Sequence, residues 1–479
     1  MSSDFLYFES LFNELFEPFG SGIVYHNSGI CVHMNYERLY ELGCLQKACQ
    51  EVHKYIPLND GDTVILNDPY SGGGALNNFT LLMGFKTQGA KKADFILGLK
   101  FSTRPTLSFG ATLDDEGLRV PPTPIAQDGK INEALLSSIV GHPQAPKDFE
   151  FHFRMAFEKL LLLHERFTDA IGIWNVQLST KNLSAYIDHC NTKMVDFLTH
   201  FRQKDSFHRE QWHSGENISL KTTKEADHMI FEFGDAEKSS YYNLTKPAVF
   251  GACFGAIINT LEQKFPLNSG TFEAIKIKLP EKSFLQSKYP APSYFGFVEG
   301  TGLIANLSQK TLSKLDRDFQ AGEGNVGTCS IDITFENQTH FFDRLPSGQG
   351  ANKDEDGSMA VDKWTHYKLS ASIEDIEKRF PMQIKSTSFR QASGGSGSKN
   401  GGLGVIRSYE VREPALLKWF AGYAGHAPDG INGGNSGLGP QIIHISGNVK
   451  TRLDQSGEMK LKRGDKVNIL TAGGGGFGE

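Results

Sequence analysis

The sequence predicts a mixed α/β protein of more than one domain, and three observations lead there. Its 479 residues exceed the roughly 250–300 at which a single core stops growing. Two long stretches space their apolar residues at helical intervals, while several short ones alternate with period two. After Ser393 the glycine density rises and long helical periodicity ends. A hydrophobic share of 39% against 22% charged residues is that of an ordinary globular chain. Phenylalanine, at 35 residues against four tryptophans, is expected to fill the cores.

The elements follow in chain order. Residues 61–120 read as strands and turns. Thr63-Val64-Ile65-Leu66 is a short apolar strand, stopped by Asn-Asp-Pro and a glycine triplet that permits a tight backbone path. From Phe151 to Asn175 the apolar residues Phe153, Met155, Phe157, Leu160 to Leu163 and Phe167 are too dense and too long for a strand, which predicts a largely buried helix. A second helix follows, with Leu183, Ile187, Cys190, Met194, Phe197, Leu198 and Phe201 on one face. Met229–Phe233 and Ala274–Leu279 read as strands, the latter with its lysines outward. Between them Pro247–Phe265 reads as an apolar helix with proline in its first turn. Cys329–Phe335 adds an alternating strand with Ile331, Ile333 and Phe335 on one side. Strands interleaved with helices in this way imply a mixed sheet with helices packed on it. The tail from 381 is expected to be β-rich, with Pro414–Trp419 able to form one helical turn.

These elements divide into an N-terminal domain 1–205, a central α/β domain 206–380 and a glycine-rich, β-rich module 381–479. The boundaries fall at the polar stretch Gln203–Glu216 and at the turn before Pro381. The formal charge of −6 argues against a general nucleic-acid binder, which needs a basic surface to displace phosphate counterions. The start, Met1-Ser-Ser-Asp-Phe-Leu, carries an acid where an export signal places lysine or arginine. The longest apolar run, Ala248–Ile258, is about half the roughly 20 residues that span a bilayer. Six cysteines, Cys31, Cys44, Cys49, Cys190, Cys253 and Cys329, show no paired spacing. The expectation is a cytoplasmic protein with reduced, structural thiols and no membrane segment.

Two glycine-anchored segments far apart carry the functional signal. Gly61-Asp62-Thr63-Val64-Ile65-Leu66-Asn67-Asp68-Pro69-Tyr70-Ser71-Gly72-Gly73 resembles the G-D-x-x-x-x-N-D-P-Y-x-G-G segment of the hydantoinase B/oxoprolinase family. Glu116-Gly117-Leu118-Arg119-Val120-Pro121-Pro122 is similar to its E-G-x-x-x-P-P, and Asn268-Ser269-Gly270 to its N-x-G turn. Ile373–Pro381 resembles P-x-E-x-x-E-x-x-F-P. Phe389-Arg390, Ser393-Gly394-Gly395-Ser396-Gly397 and Gly401–Arg407 follow L-R-x-x-S-G-G-x-G-x-x-x-G-G-x-G-x-x-R, and Gly473–Gly478 resembles the terminal T-P-G-G-G-G-x-G. Six motifs in the family's order cover most of the chain.

The resemblance implies a hydantoinase B-like fold and a subunit of an ATP-dependent hydrolase of cyclic amides such as 5-oxoproline, hydantoins or lactams. It also implies an A-type partner that binds ATP and phosphorylates the amide oxygen. The B-type subunit would hold a divalent metal, whose bound water drops from a pKa of about 15.7 to about 7 and attacks the activated carbon.

This chain departs from the family at the residues implied to hold that metal. Where the glycine loop continues T-H-L-P-D in the family, Gly74-Ala75-Leu76-Asn77-Asn78 stands here. A methyl replaces imidazole at Ala75 and an amide replaces carboxylate at Asn78. An R-x-H-H-x-D motif aligns with Lys100–Thr106, which has neither imidazole nor carboxylate. The first aspartate of D-F-S-C-A-L-F-D becomes Phe19, and the histidines of H-x-P-V-H-L-G become Glu37 and Glu41. Losing several ligands removes the sphere that fixes a catalytic ion, so no divalent metal is expected. Glu37, Glu41, His26, His33 and Asp68 remain as groups for a rebuilt site.

Asn67, Asp68, Tyr70, Gly72, Gly73, Arg390, Gly394, Gly395 and Arg407 are read mainly as structural motif residues, with Asp68 the one candidate for a chemical role. No Walker lysine follows the terminal glycines, and no GxSxG or HExxH motif offers independent hydrolase chemistry. The expected function is a divergent family subunit without hydrolytic activity, itself lacking a cofactor. It would bind an A-like ATP-binding subunit or a related B-like one in a hetero- or homo-oligomer. An active amidohydrolase or carboxylase subunit with a rebuilt metal site, and a stand-alone small-molecule binding protein, are the alternatives.

Overall fold

Where apolar residues alternate, the chain forms strands, and where they recur every three or four residues it forms helices. A computed structural model describes residues 4–16, 18–174, 178–212, 215–237, 242–259, 265–361, 364 and 372–479. It forms two compact units, one of Met1–Arg104, Gly110–Ser206 and Lys221–Thr301, the other of Pro105–Phe109, Phe207–Leu220 and Gly302–Glu479.

The first unit begins with α1 (Asp4–Phe16), β1 (Gly22–His26), β2 (Ile30–Asn35), α2 (Glu41–Tyr55) and β3 (Thr63–Leu66). Then come β4 (Asn78–Phe85), β5 (Phe95–Ser102), β6 (Thr123–Gln127), β7 (Lys130–Ile131), α3 (Glu133–Val140), α4 (Phe149–Trp174) and α5 (Thr180–Thr199). The chain continues through β8 (Asp205–Gln211) and β9 (Asn217–Lys224), whose residues 207–220 belong to the second unit, and then through β10 (Met229–Gly234), α6 (Lys246–Ile258), α7 (Ser269–Glu273) and β11 (Ile275–Lys278) of the first. Strands β1 to β7 make one antiparallel sheet in the order β2-β1-β5-β4-β3-β6-β7. Alternation along β5 sends Leu97, Leu99 and Phe101 into the core beneath α4, so Gly98 and Lys100 leave the sheet on its other face. Phenylalanine fills that core as expected: Phe79 stacks on Phe101 at 5.2 Å and meets Phe149 edge-on at 4.9 Å. Each such ring contributes about 1.5–3 kcal/mol by leaving water.

The first long helix runs from Phe149 to Trp174, and Asn175, its expected end, lies outside the described residues. It is amphipathic rather than buried throughout, since Met155 and Leu162, both counted with the core, are exposed. The apolar helix at Pro247 ends at Ile258, short of Phe265, with 260–264 outside the described residues. In β11 Ile275 and Ile277 point inward and Lys276 and Lys278 outward, and the strand pairs parallel with β10.

The second unit contains α8 (Thr301–Leu315), β12 (Cys329–Phe335), β13 (His340–Leu345), α9 (Ile373–Arg379), β14 (Met382–Phe389), β15 (Val405–Val411) and β16 (Ala415–Ala421). Strands β17 (Gln441–Ser446), β18 (Val449–Arg452), β19 (Ser456–Leu461) and β20 (Lys466–Leu470) complete it. Two sheets, β13-β12-β16-β19 and β14-β15-β20-β17-β18, share a core that includes Ile331, Ile333, Phe335, Tyr409, Val467 and Ile469. Pro414–Trp419 is therefore not a helical turn. Ala415, Leu417 and Trp419 face the core of a strand held between β12 and β19.

The terminal glycines are woven into this unit rather than tethered to it. Gly474 donates to the Gly402 carbonyl and accepts from Gly395, while Gly475 donates to Glu323 and Gly476 to Asn435. A Cβ on Gly474 would stand 1.8 Å from the Gln349 carbonyl, so backbone packs directly on backbone there.

Candidate functional site

In the first unit, the loop after β3 is fixed by its two leading polar residues. The Asn67 amide donates to the Leu76 and Leu118 carbonyls at 2.7 and 2.8 Å, and its oxygen accepts from Val120 N at 2.6 Å. Every polar atom of that buried side chain is spent on backbone. Asp68 caps the short 3₁₀ turn Pro69–Ser71, accepting from Tyr70 N and from the Ser71 hydroxyl at 2.8 Å. Arg119 stands 3.9 Å from the same carboxylate oxygen that Ser71 meets and lies over the Tyr289 ring. Tyr70 donates to the Ala291 carbonyl. Gly72 has φ +97°, and a Cβ there would meet Ala48 N in α2 at 2.2 Å, which only glycine permits.

The loop leads to Ala75, fully buried, and Asn78, 2% exposed at the start of β4. Asn78 donates to the Tyr40 hydroxyl at 2.9 Å and accepts from Ser102 at 2.6 Å. Arg38 donates to the same Ser102 oxygen at 3.3 Å and to Glu41 at 3.4 Å. Glu41, wholly buried at the first turn of α2, also accepts from Ser21 Oγ at 2.7 Å and from the backbone N–H groups of Glu37 and Arg38 at 2.9 and 3.1 Å. Burial pulls the Glu41 carboxyl upward, but the Lys100 and Arg38 charges and these hydrogen bonds outweigh it and hold the group below its usual range.

Lys100 supplies the remaining charge. Its Nζ is sealed from water, makes no hydrogen bond among the described residues, and sits 5.4 Å above the Tyr40 ring. Burial lowers its pKa, and Glu41 offsets part of that. A lysine ammonium thus lies beside the one buried carboxylate of this centre.

The sequence positions aligned with the family's ion partly converge here. Ala75, Asn78 and Glu41 lie in or beside the network, and Glu37 and Phe19 line an adjoining cleft. His26 and His33 are engaged elsewhere: His26 Nδ1 meets Ser28 at 2.7 Å, and His33 stacks on Phe12 at 5.5 Å with burial lowering its pKa to about 4. Among the described residues no group of three or more His, Cys, Asp or Glu is arranged to hold a metal ion. The donors present do not fit a divalent cation: a methyl, a saturated amide, and a carboxylate already bound to Arg38 and facing Lys100.

Sequence reading missed Ser21, Arg38, Tyr40, Lys100 and Ser102. The available signal was Lys100 itself, a charge inside the apolar run Phe95–Phe101. In the second unit, Arg390 donates to the Gly439 and Thr471 carbonyls, and Arg407 pairs with the fully buried Asp343 at 2.7 Å. Gly394 and Gly395 pack against the Gly401 and Asn435 carbonyls. All six cysteines are free and buried, and no described helix is long and apolar enough to cross a membrane.

The family model for hydantoinase B/oxoprolinase matches residues 19–479. The chain belongs to this family. It is 29% identical over 451 residues to an uncharacterized protein of Methanocaldococcus jannaschii, covering 88% of this chain and 77% of that one. It is 24% identical to 5-oxoprolinase 1 of Arabidopsis thaliana over 88% of this chain but only 36% of the plant protein, and spans 37% of the Dictyostelium discoideum 5-oxoprolinase. The fold matches the ATP-dependent caprolactamase from Pseudomonas jessenii with a TM-score of 0.84 at 16% identity, over 96% of this chain and 84% of that one. It matches nucleotide-free acetone carboxylase with a TM-score of 0.80 at 12% identity, over 99% and 74%. The hydantoinase B-like mixed α/β fold expected from the motifs is the fold present.

Proposed function

We propose that this chain is a hydantoinase B-type subunit whose own centre does not hydrolyse amides and which works by engaging an A-type ATP-binding subunit or a related B-type one. The observation that carries this reading is the pair of Lys100 and Asn78. A fully bonded amide stands where metal-assisted hydrolysis needs an open carboxylate, and a sealed ammonium lies beside it where a second cation would be repelled. A lysine there supplies positive charge to Glu41 but has no coordination position in which to ionise a water. The retained Asn67 clamp, the Asp68 cap and the terminal glycine weave support the reading from the other side, because they preserve the scaffold while the centre differs. Relatives named 5-oxoprolinase and the caprolactamase neighbour support ATP-dependent opening of a cyclic amide as the chemistry of the assembly.

The test is to purify the chain without chelator, measure bound metal, and co-express it with a candidate A-type subunit from the same genome. The reading expects no stoichiometric zinc, iron or manganese, a co-purifying partner, and no ATP-dependent turnover of 5-oxoproline or lactams that depends on Glu41 or Asp68. About one ion per chain, with turnover lost on Glu41→Gln, would establish the active rival instead. The cleft beside the network favours a second role, small-molecule binding.

A further inference from the structure

Beside the Arg38 network, within the first unit, lies a cleft of about 340 Å³, at the lower end of the range of small-ligand sites. Phe19, Phe101, Leu99 and Met155 give it apolar walls. Arg38, Lys100 and Lys159 bring positive charge to it from three elements, the loop before α2, β5 and the face of α4, with the Lys100 ammonium itself sealed from water. Lys159 is exposed and forms no ion pair or hydrogen bond among the described residues. Arg38 is 28% exposed, and its contacts to Glu41 and Ser102 are long, at 3.4 and 3.3 Å, so further guanidinium N–H groups remain to be used. Glu37 is the one carboxylate in the lining.

We infer that this cleft binds a small organic monocarboxylate, with its carboxylate between Arg38 and Lys159 and a compact apolar body against Phe19 and Phe101. This rests on the proposed absence of a metal from the neighbouring centre, and it reverses the charge preference of the region from cation to anion. A planar guanidinium recognises a carboxylate through paired N–H donors, and a second cation opposite raises the selection for negative charge. Glu37 disfavours a second negative charge, which selects a monoanion over phosphate or a dicarboxylate. The aromatic walls select a ring or short hydrocarbon over acetate.

The test is calorimetric titration and thermal shift of the full chain with benzoate and cyclopentanecarboxylate, against benzamide, acetate and inorganic phosphate. Saturable binding of both ring carboxylates, with benzamide at least about tenfold weaker, is expected, since a charge-assisted hydrogen bond is worth roughly that factor or more. Lys159→Gln, at an exposed position that folding does not need, should weaken benzoate binding by about tenfold, and Arg38→Gln by more. Benzamide binding as tightly as benzoate, phosphate binding more tightly, an unchanged affinity in Lys159→Gln, or no saturable binding would each overturn the proposal. Metal content is measured on the same sample. One ion per chain would remove the reading on which the site rests, whereas a metal-free chain that ignores carboxylates sinks only the anion site.

Discussion

Asn78 and Tyr40 are joined by a hydrogen bond of 2.9 Å from the amide nitrogen to the phenol oxygen, and Ser102 closes the other side of the amide at 2.6 Å. The bond ties the start of β4 to the loop entering α2. It also occupies a side chain at a position where the family resemblance implies a ligand.

Asn78→Ala would take the amide donor from the buried Tyr40 hydroxyl and leave the half-buried Ser102 hydroxyl with Arg38 alone, and is expected to cost about 1–3 kcal/mol in urea denaturation. Ala75→His would force an imidazole into a site with no exposure and cost about 1–3 kcal/mol through overpacking. Neither change, alone or together, should bring stoichiometric metal into the purified protein. Elemental analysis checks that, and a bound ion in Ala75→His would show that the remaining donors suffice.

Glu41 and Lys100 make a double-mutant cycle informative. Glu41→Gln leaves two cations around a neutral buried group and should destabilise by about 3–5 kcal/mol. Lys100→Met keeps the length of the side chain and removes a sealed ammonium, leaving Glu41 with Arg38, Ser21 and two backbone N–H groups. The double variant should be more stable than Glu41→Gln alone by at least about 1 kcal/mol. Strict additivity would show that the lysine charge is not coupled to the carboxylate.

Much of this was legible in sequence because it is local. The strand Thr63–Leu66, the Asp68 cap and the alternation of β11 each follow from neighbours within a few residues. The Ala415–Ala421 strand was not, since Ala-Leu-Leu-Lys has a good local helix propensity and only pairing to β12 and β19 overrides it. The Lys100–Glu41 relationship spans 59 residues (100 − 41) and depends on which face of β5 the lysine leaves. The family resemblance marks which ligands those positions lack, and only the fold shows which groups stand together in their place.

Glu116, in the E-G-x-x-x-P-P motif, gives a pH prediction. One of its oxygens accepts from Ser293 N and Tyr294 N at 2.8 and 2.9 Å, while the other is sealed without a partner among the described residues. Burial dominates and raises its pKa to about 7. The folded state therefore binds more protons than the unfolded chain between about pH 4.5 and 7. Glu116 thus contributes stability that is full below the unfolded value and is lost as pH rises through the folded one, by up to about 3 kcal/mol. Glu116→Gln keeps an acceptor for both N–H groups and should remove this slope, making the variant the more stable protein at pH 8. Parallel stability curves for the two proteins from pH 5 to 8 would refute the assignment.

Two glycines separate the roles of that residue in the two units. Gly474→Ala places a methyl 1.8 Å from the Gln349 carbonyl, with further backbone at 2.2 and 2.7 Å. No flexible side chain can yield there, so the strands meeting at the weave must part. The expected cost exceeds about 3 kcal/mol, beyond the usual range for a point change, and should appear as loss of amide protection in residues 393–404 and 473–478. Gly172→Ala, in α4 of the first unit, meets nothing within 4 Å among the described residues. It exchanges the flexible residue in the last described turn of the helix for the best helix former and should stabilise by a few tenths up to about 1 kcal/mol. Hydrogen exchange on both variants reads the contrast directly. A protected terminal segment in Gly474→Ala would mean that the weave can shift as a whole, which its contacts with Gln349, Gly395, Gly402 and Gly401 on separate segments oppose.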